Sequence, residues 1–202
     1  MLKEDSCLVY WEDKFRAAVF MIFKISGNTV EFVRDLRYNK HRVLLKTTEQ
    51  KKKCRRGGIM IDIAHAKQEF EKYLDEYDRE DEQIYLKIEH TYGVVKYAGE
   101  IAGRMECSGE DVELAELIGL LHDIGRFEQI RRFHSFEPGT MDHAVFGADL
   151  LFGEEKMIRR FVKDDKFDEL IDAAIRKHSD FKLDGIHDTR TLFHAKLIRD
   201  AD

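Results

Sequence analysis

The sequence contains little that would interrupt or cross-link helices: its 202 residues include one proline, three cysteines and one tryptophan. Because proline and glycine are the strongest helix breakers, one proline and 13 glycines leave room for long helices. Cys7, Cys54 and Cys107 are odd in number and show no Cys-x-x-Cys spacing, which argues against a disulfide framework or a cysteine zinc site. We therefore predict an α-rich protein of the reducing cytoplasm.

Long hydrophobic runs are also absent. The longest apolar stretch, Ala17 to Phe23, is far shorter than the roughly 20 residues that span a bilayer. Acidic residues precede this stretch and no small-residue cleavage site follows it. Neither a membrane segment nor a signal peptide is expected.

The net charge of −6 is divided unevenly along the chain. Residues 1–58 carry 14 Lys and Arg against 7 Asp and Glu, and residues 59–202 carry 20 against 33. Binding to duplex nucleic acid depends on neutralising phosphates, so the acidic second part is not expected to bind it. A small phosphorylated substrate in a locally basic pocket remains compatible with this charge.

The change in composition near residue 58 divides the chain into a basic extension, 1–58, and a main domain, 59–202. Three interpretations of the extension stay open: a small domain, a disordered segment, or sequence translated from upstream of the true start. Arg55-Arg56 just before Met60 motivates the third, because a bacterial ribosome-binding sequence can encode Arg-Arg. Ala17 to Ile25 and Thr29 to Val33 weakly resemble strands, and no chemistry is assigned to the extension.

The main domain shows apolar residues at helical spacing almost throughout, which predicts an all-α helical bundle. Ser108 followed by Asp111 resembles an N-terminal capping box, and Gly125 is expected to end the apolar helix before it. The last helix still runs at Asp202, which leaves open a C-terminus cut inside the natural domain. Helices are predicted over residues 61–78, 82–106, 111–123, 142–152, 155–163, 166–178 and 189–202.

Polar residues interrupt this pattern at five places where an apolar side chain or a helix end is expected. A charged Asp directly after Leu120-Leu121-His122 is costly to bury unless it is paired or bound to metal. Imidazole and carboxylate together suit divalent Mn, Fe, Co, Ni or Zn, and Mg stays open. Each residue alone could equally be a structural or capping residue. The five places are His90, His122-Asp123, His143, His178 and Asp200.

Their order, H…HD…H…H…D, resembles the HD superfamily of metal-dependent phosphohydrolases, with His122-Asp123-Ile124-Gly125 as its most specific part. The resemblance covers residues 60–202 and implies an HD-type helical fold. It implies that His90, His122, Asp123 and Asp200 hold one metal ion. In members with two further histidines a second ion is held, and His143 and His178 match that pattern. The alternative is one ion, with these two histidines binding the scissile phosphate or the leaving group.

The implied reaction is attack of a metal-activated water on a phosphomonoester or phosphodiester of a small, nucleotide-like substrate. Asp123 and Arg126 are the candidate catalytic residues, and Arg126 and Lys177 the candidate phosphate-binding ones. Arg126 and the residues after His178 depart from the nucleotidase, alarmone-hydrolase and cyclic-dinucleotide branches, so none of those specificities transfers. The substrate and the oligomeric state stay open.

Two other classes of function compete with hydrolysis. The domain could be a regulatory module that binds a nucleotide or a metal without turnover. It could also be a di-iron oxygenase, since a branch of the superfamily uses the same scaffold for oxygen chemistry.

Overall fold

The computed structural model describes residues 6–13, 17–26, 29–33, 61–137 and 139–202 of the chain. Contacts divide the chain into two units, Met1–Arg56 and Gly57–Asp202. The start-site hypothesis depends on Arg55-Arg56 and Met60, which lie outside the described residues, as does His41. Each unit is described by itself.

The described part of the first unit is an antiparallel sheet of three strands in the order β1-β2-β3. The strands are Ser6–Asp13 (β1), Ala17–Ser26 (β2) and Thr29–Val33 (β3). β1 pairs with β2 from Ser6↔Lys24 to Asp13↔Ala17, and β2 pairs with β3 from Ile22↔Val33 to Ser26↔Thr29. The two strands predicted within residues 17–33 are therefore confirmed.

The second unit is helical, which confirms the predicted fold class for residues 61–137 and 139–202. Eight helices are found in these residues, and no helix among them is both long and apolar enough to cross a membrane. The helices are Ile63–Leu74 (α1), Glu82–Arg104 (α2), Gly109–Leu121 (α3), Ile124–Phe133 (α4), His143–Phe152 (α5), Ile158–Phe161 (α6), Asp168–Arg176 (α7) and Thr189–Ala201 (α8).

Most helices begin at a side chain that caps their free amide groups. An Asp or Ser at this position accepts hydrogen bonds from amides of the first turn, which stabilises the start of a helix. The N-cap predicted at Ser108 is confirmed, because its Oγ accepts from Asp111 N at 3.1 Å; the Asp111 carboxylate accepts from Ser108 Oγ instead of completing a capping box at the backbone. The caps that act in this way are Asp62, Asp81, Ser108, Asp142 and Asp188.

Helix α3 lies at the centre of the bundle. From Leu114 to its end all of its residues except Glu116 are buried, and α1, α2, α7 and α8 all pack against it. A helix with apolar residues all round is stable only when it is enclosed by other elements. The C-terminal end of α3 therefore delivers the residues that follow it, His122 and Asp123, into the interior.

Candidate metal centre

The His122-Asp123 pair lies at the break between α3 and α4. Helix α3 ends at Leu121, and α4 begins at Ile124 after a change of backbone direction at Asp123 (φ −101°, ψ 17°). His122 is 0% and Asp123 is 3% exposed. The expectation that this pair lies at a helix end is confirmed, and its burial means that the Asp123 charge must be compensated nearby.

Asp123 occupies the N-cap position of α4, but its carboxylate makes no capping hydrogen bond. Its two oxygens instead face different pairs of histidines. Oδ2 lies 3.6 Å from Nε2 of both His90 and His122, whereas Oδ1 lies 3.3 Å from Nε2 of His143 and 3.5 Å from Nε2 of His178. The carboxylate therefore stands between two sets of imidazoles.

The second carboxylate of this cluster belongs to Asp202, the C-cap of α8. Its Oδ1 lies 2.9 Å from His90 Nε2 and 3.5 Å from His122 Nε2. This corrects the assignment to Asp200, which is exposed and lines a surface hollow with Lys196 and Arg199. The reason is helical geometry: Asp202 follows the buried Ile198 by four residues, whereas Asp200 follows the exposed Lys196 by four.

Three overlapping groups of these side chains could hold a metal ion, since the ligand atoms within each group lie within 4.8 Å of one another. Five of the six predicted ligand positions occur in them, with Asp202 replacing Asp200. Asp123, His122 and His178 each belong to two of the groups, and of these three the Asp123 carboxylate has two ligand oxygens, which is what a ligand shared by two ions requires. The groups are His90, His122 and Asp123; His122, His178 and Asp202; and Asp123, His143 and His178.

Backbone carbonyls orient two of the imidazoles. Nδ1 of His122 lies 2.8 Å from the Gly119 carbonyl, and Nδ1 of His178 lies 2.7 Å from the Ile175 carbonyl. A carbonyl can only accept, so each Nδ1 carries the proton and donates. In the neutral ring this leaves Nε2, the atom nearest Asp123, as a lone-pair donor to a metal, which is how carbonyl partners fix metal-binding histidines.

The cluster also contains buried atoms whose hydrogen-bonding capacity is unused. Within the part of the chain that the structure describes, Nε2 of His90 and Nε2 of His122 are buried and make no well-directed hydrogen bond, although Asp202 Oδ1 lies 2.9 Å and 3.5 Å from them. Buried polar atoms without a partner are rare in folded proteins, and such atoms at a cluster of this kind are typical of an ion-binding site. The donor set, two carboxylates and four imidazoles, fits a divalent transition metal.

The surroundings keep both carboxylates ionised. Burial alone would raise the pKa of Asp123, but attraction by His122, the adjacent imidazoles of His143 and His178, and Lys87 hold that pKa well below its usual range. Burial would also raise the pKa of Asp202, yet His122 and His90 lower it. Ionised carboxylates are the form that binds metal.

The two histidines on the Oδ1 side differ in their pKa. Burial lowers the pKa of His143 despite the attraction of Asp123. For His178, burial is outweighed by Asp123 and the Ile175 carbonyl, and its pKa is raised. Their Nε2 atoms are 3.1 Å apart, so one proton between them satisfies both. A cation at this place would satisfy the same two lone pairs.

Arg126 lies beside the cluster, where the sequence predicted a phosphate-binding residue. Its Nε is 3.7 Å from Asp123 Oδ1, and its Nη1 donates to Gln129 Oε1 at 2.7 Å and to the Phe136 carbonyl at 3.2 Å. These contacts hold the guanidinium in place. Lys177, the other predicted phosphate-binding residue, pairs with Asp180 Oδ2 at 3.3 Å.

Two residues of the cluster were missed from the sequence, Asp202 and Lys87. Lys87 Nζ donates to Asp123 Oδ2 at 2.8 Å. The sequence does indicate that Lys87 lies near the cluster, because it precedes His90 by three residues and therefore lies on the same face of the helix. Glu128 is buried near the cluster but pairs with Arg131 and Arg132 in the last turn of α4, a helix that the sequence did not predict.

Comparison with known proteins agrees with this geometry. An uncharacterised protein of Methanocaldococcus jannaschii is 44% identical over 66 residues, which are 32% of this chain. The chain spans about a third of the length of that relative, 34%. No solved structure gave a significant match. The family model of the HD domain matches residues 88–202, more than half of the chain, and the chain therefore belongs to the HD domain family.

Proposed function

We propose that the chain is a metal-dependent phosphohydrolase that cleaves a phosphate ester of a small, nucleotide-like substrate. The observation that carries the proposal is the position of Asp123, whose two oxygens each face a different pair of imidazoles. A carboxylate so placed suits a bridge between two cations. Membership of the HD domain family supports the same chemistry.

The proposed ligands of one ion are His90, His122, Asp123 and Asp202, and those of a second ion are Asp123, His143 and His178. Divalent ions held there would lower the pKa of a water molecule and neutralise charge on the phosphoryl oxygens. The bundle contributes pre-formed positions: carbonyls fix two rings, and burial excludes competing water from the Asp123 carboxylate.

Arg126 is the proposed phosphate clamp. Its guanidinium has five N–H donors and is already anchored to Gln129 and the Phe136 carbonyl, so little conformational freedom is lost when it binds an oxyanion. Lys177 is not kept in this role, because its ammonium pairs with Asp180. Residues 59–202 are proposed as the domain that carries the activity.

The test combines metal analysis with a phosphate-release assay. The full chain is stripped with chelator, reloaded with Mn, Fe, Co, Ni, Zn or Mg, and assayed on phosphomonoesters, phosphodiesters and nucleotides. We expect metal binding and hydrolysis in the wild type, loss of both in Asp123→Ala, and neither loss in Asp184→Ala, an exposed aspartate used as control. Absence of metal and of hydrolysis in every condition would refute the proposal.

The number of ions is decided by stoichiometry. We expect two ions per chain in the wild type and one in His143→Ala. If the wild type binds one ion and His143→Ala still binds one while losing activity, the histidines bind the phosphate instead. Tight nucleotide binding without turnover would assign the domain to regulation, and iron with oxygen consumption would assign it to oxygen chemistry.

A further inference from the structure

Lys87 places an ammonium group directly on the central carboxylate of the cluster. Its Nζ lies 2.8 Å from Asp123 Oδ2 and 5.5 Å from the centre of the Phe136 ring, and its side chain is only 17% exposed. Position 87 lies just outside the part of the chain that matches the HD domain model. The role of this lysine therefore needs its own explanation.

An ammonium at this position opposes metal binding. It competes with cations for Asp123 Oδ2 and repels any ion that His90 and His122 hold nearby. If Lys87 served only as a counter-ion to Asp123, it would weaken the centre that the rest of the cluster forms. Its positive charge becomes favourable in a metal-loaded site only when an anion is also bound.

The fixed charges of the site support this reasoning. Among the described residues, Lys87 and Arg126 are the two Lys or Arg side chains that pair with Asp123, and Asp123 and Asp202 are the two carboxylates of the cluster. These four charges cancel, so the charge of any divalent ion in the site is left for the substrate to neutralise. Without Lys87 and Arg126, the two carboxylates would already neutralise one divalent ion.

The ammonium also has donors to spare. It carries three N–H groups, and among the described residues its one hydrogen bond is to Asp123. The remaining N–H groups can bind phosphate oxygens while the bond to Asp123 fixes the position of the nitrogen. Arg126 stands at the other carboxylate oxygen, so the two cations approach the same carboxylate from different sides.

We propose that Lys87 binds the substrate phosphate and makes the site selective for phosphomonoester dianions over phosphodiester monoanions. This inference rests on the proposed function and narrows its substrate class. The attraction between Lys87 and a ligand scales with ligand charge, so a dianion gains about twice as much from Lys87 as a monoanion at the same distance.

The test uses the metal-loaded full chain and three variants. Lys87→Met removes the charge and keeps the aliphatic stem, Lys87→Arg keeps the charge, and Lys96→Met removes an exposed lysine from the same helix as a control. The first measurement is calorimetric binding of inorganic phosphate at pH 8, compared with dimethyl phosphate. The second is the ratio of kcat/KM for p-nitrophenyl phosphate to that for bis(p-nitrophenyl) phosphate.

We expect Lys87→Met to weaken phosphate binding about tenfold or more, as loss of a charged hydrogen bond does, and dimethyl phosphate binding by much less. The monoester-to-diester ratio should fall in Lys87→Met and recover in part in Lys87→Arg. Metal affinity should rise in Lys87→Met, because a competing cation is removed. Lys96→Met should behave as the wild type.

Two outcomes would overturn this inference. One is an unchanged phosphate affinity and monoester-to-diester ratio in Lys87→Met, and the other is failure of the metal-loaded wild type to bind phosphate at all. If the wild type hydrolyses phosphate esters and Lys87→Met has the same phosphate affinity and monoester-to-diester ratio, the proposed function is supported and only the role of Lys87 is refuted. A wild type without metal binding removes the proposed function itself.

Discussion

At the scale of single residues, Asp123 is the point on which the cluster depends. Other aspartates at helix N-termini, such as Asp62 and Asp142, use their carboxylates as caps. Asp123 has the same position in α4 and gives up the capping bond, worth about 1 kcal/mol, to face histidines and Lys87 instead. A sacrifice of local stability at a buried position is typical of a functional residue.

Asp202→Ala is expected to lower metal affinity at least about tenfold, whereas Asp200→Ala should leave it unchanged. Asp202 Oδ1 lies 2.9 Å from His90 Nε2, and Asp200 is exposed on another face of α8. Removal of a residue that only orients a metal ligand typically lowers metal affinity 10- to 100-fold, and removal of a charged ligand itself is expected to lower that affinity at least as much. Calorimetric titration of both variants with one metal compares them directly. Equal affinities would contradict the placement of Asp202.

The same two residues show how far a sequence pattern reaches at this scale. Periodicity placed His122 and His178 correctly in the interior, because each follows apolar residues along one helix, whereas His143 opens α5 and was identified by its place in the H…HD…H…H…D order. It failed for the last carboxylate, since Asp200 and Asp202 both follow apolar residues and a half-buried Phe193 suggested the wrong stripe. Lys87 was missed because a lysine on a charged helix face is ordinarily solvated, and only tertiary packing brings it to Asp123.

At the scale of elements, the contact between α4 and α5 sets the distance from Asp123 to His143. Gly125 and Gly147 allow the two backbones to meet: a Cβ at Gly125 would lie 2.3 Å from the His143 carbonyl oxygen, and one at Gly147 would lie 3.1 Å from Gly125 N. Gly125 was expected to end a helix, but it lies inside α4, which the sequence did not predict.

Gly125→Ala is expected to destabilise the protein by about 1–3 kcal/mol, because the new methyl group meets backbone atoms that cannot rotate away. It should also weaken metal binding by moving Asp123 away from His143. Gly93→Ala on α2 is the matched control: nothing lies within 4 Å of its Cβ, and it should stabilise by about 0.5–1 kcal/mol. Urea unfolding of both variants measures the difference. A neutral Gly125→Ala would show that α4 and α5 can separate freely.

The junction of α3 and α8 contains a buried histidine outside the cluster, His194. Its Nε2 donates to Asp111 Oδ1 at 3.1 Å, and its Nδ1 is buried without a hydrogen-bond partner among the described residues. A second proton would have to sit on that Nδ1. Burial accordingly lowers the pKa of His194, despite the attraction of Asp111.

The lowered pKa predicts a loss of stability in acid. In the unfolded chain the histidine has a pKa of about 6.5, whereas its pKa in the folded protein is lower. Between these two values the unfolded state binds more protons than the folded state, so the free energy of unfolding falls as the pH drops below about 6.5. His143, whose pKa is also lowered, contributes with the same sign. Urea titrations at pH 7.5 and 5.5 should show a smaller decline in His194→Leu than in the wild type, by up to about 1 kcal/mol. Parallel declines would exclude His194 as a source.

At the scale of the whole molecule, the candidate ligands come from widely separated parts of the helical unit. They lie on α2, at the α3–α4 break, at the start of α5, after α7 and at the end of α8. The order of these positions along the chain predicted the fold class and most of the cluster, because each ligand marks a helix at a known spacing. The exact helix ends and α4 depend on packing between helices, which one sequence does not specify.

Because the two proposed ions together would connect all these helices, we expect metal binding to stabilise the folded state. A ligand that binds only the folded state at about 100 times its Kd adds about 2.7 kcal/mol to the free energy of unfolding. We expect Mn or Zn to raise the Tm of the full chain, chelator to reverse the rise, and Asp123→Ala to abolish it. The fragment 59–202 should show the same rise, because its core and all candidate ligands lie within residues 61–202. Thermal unfolding followed by circular dichroism compares the two. A fragment that fails to fold, or folds without a metal-dependent rise, would show that residues 1–58 are needed to complete the helical unit.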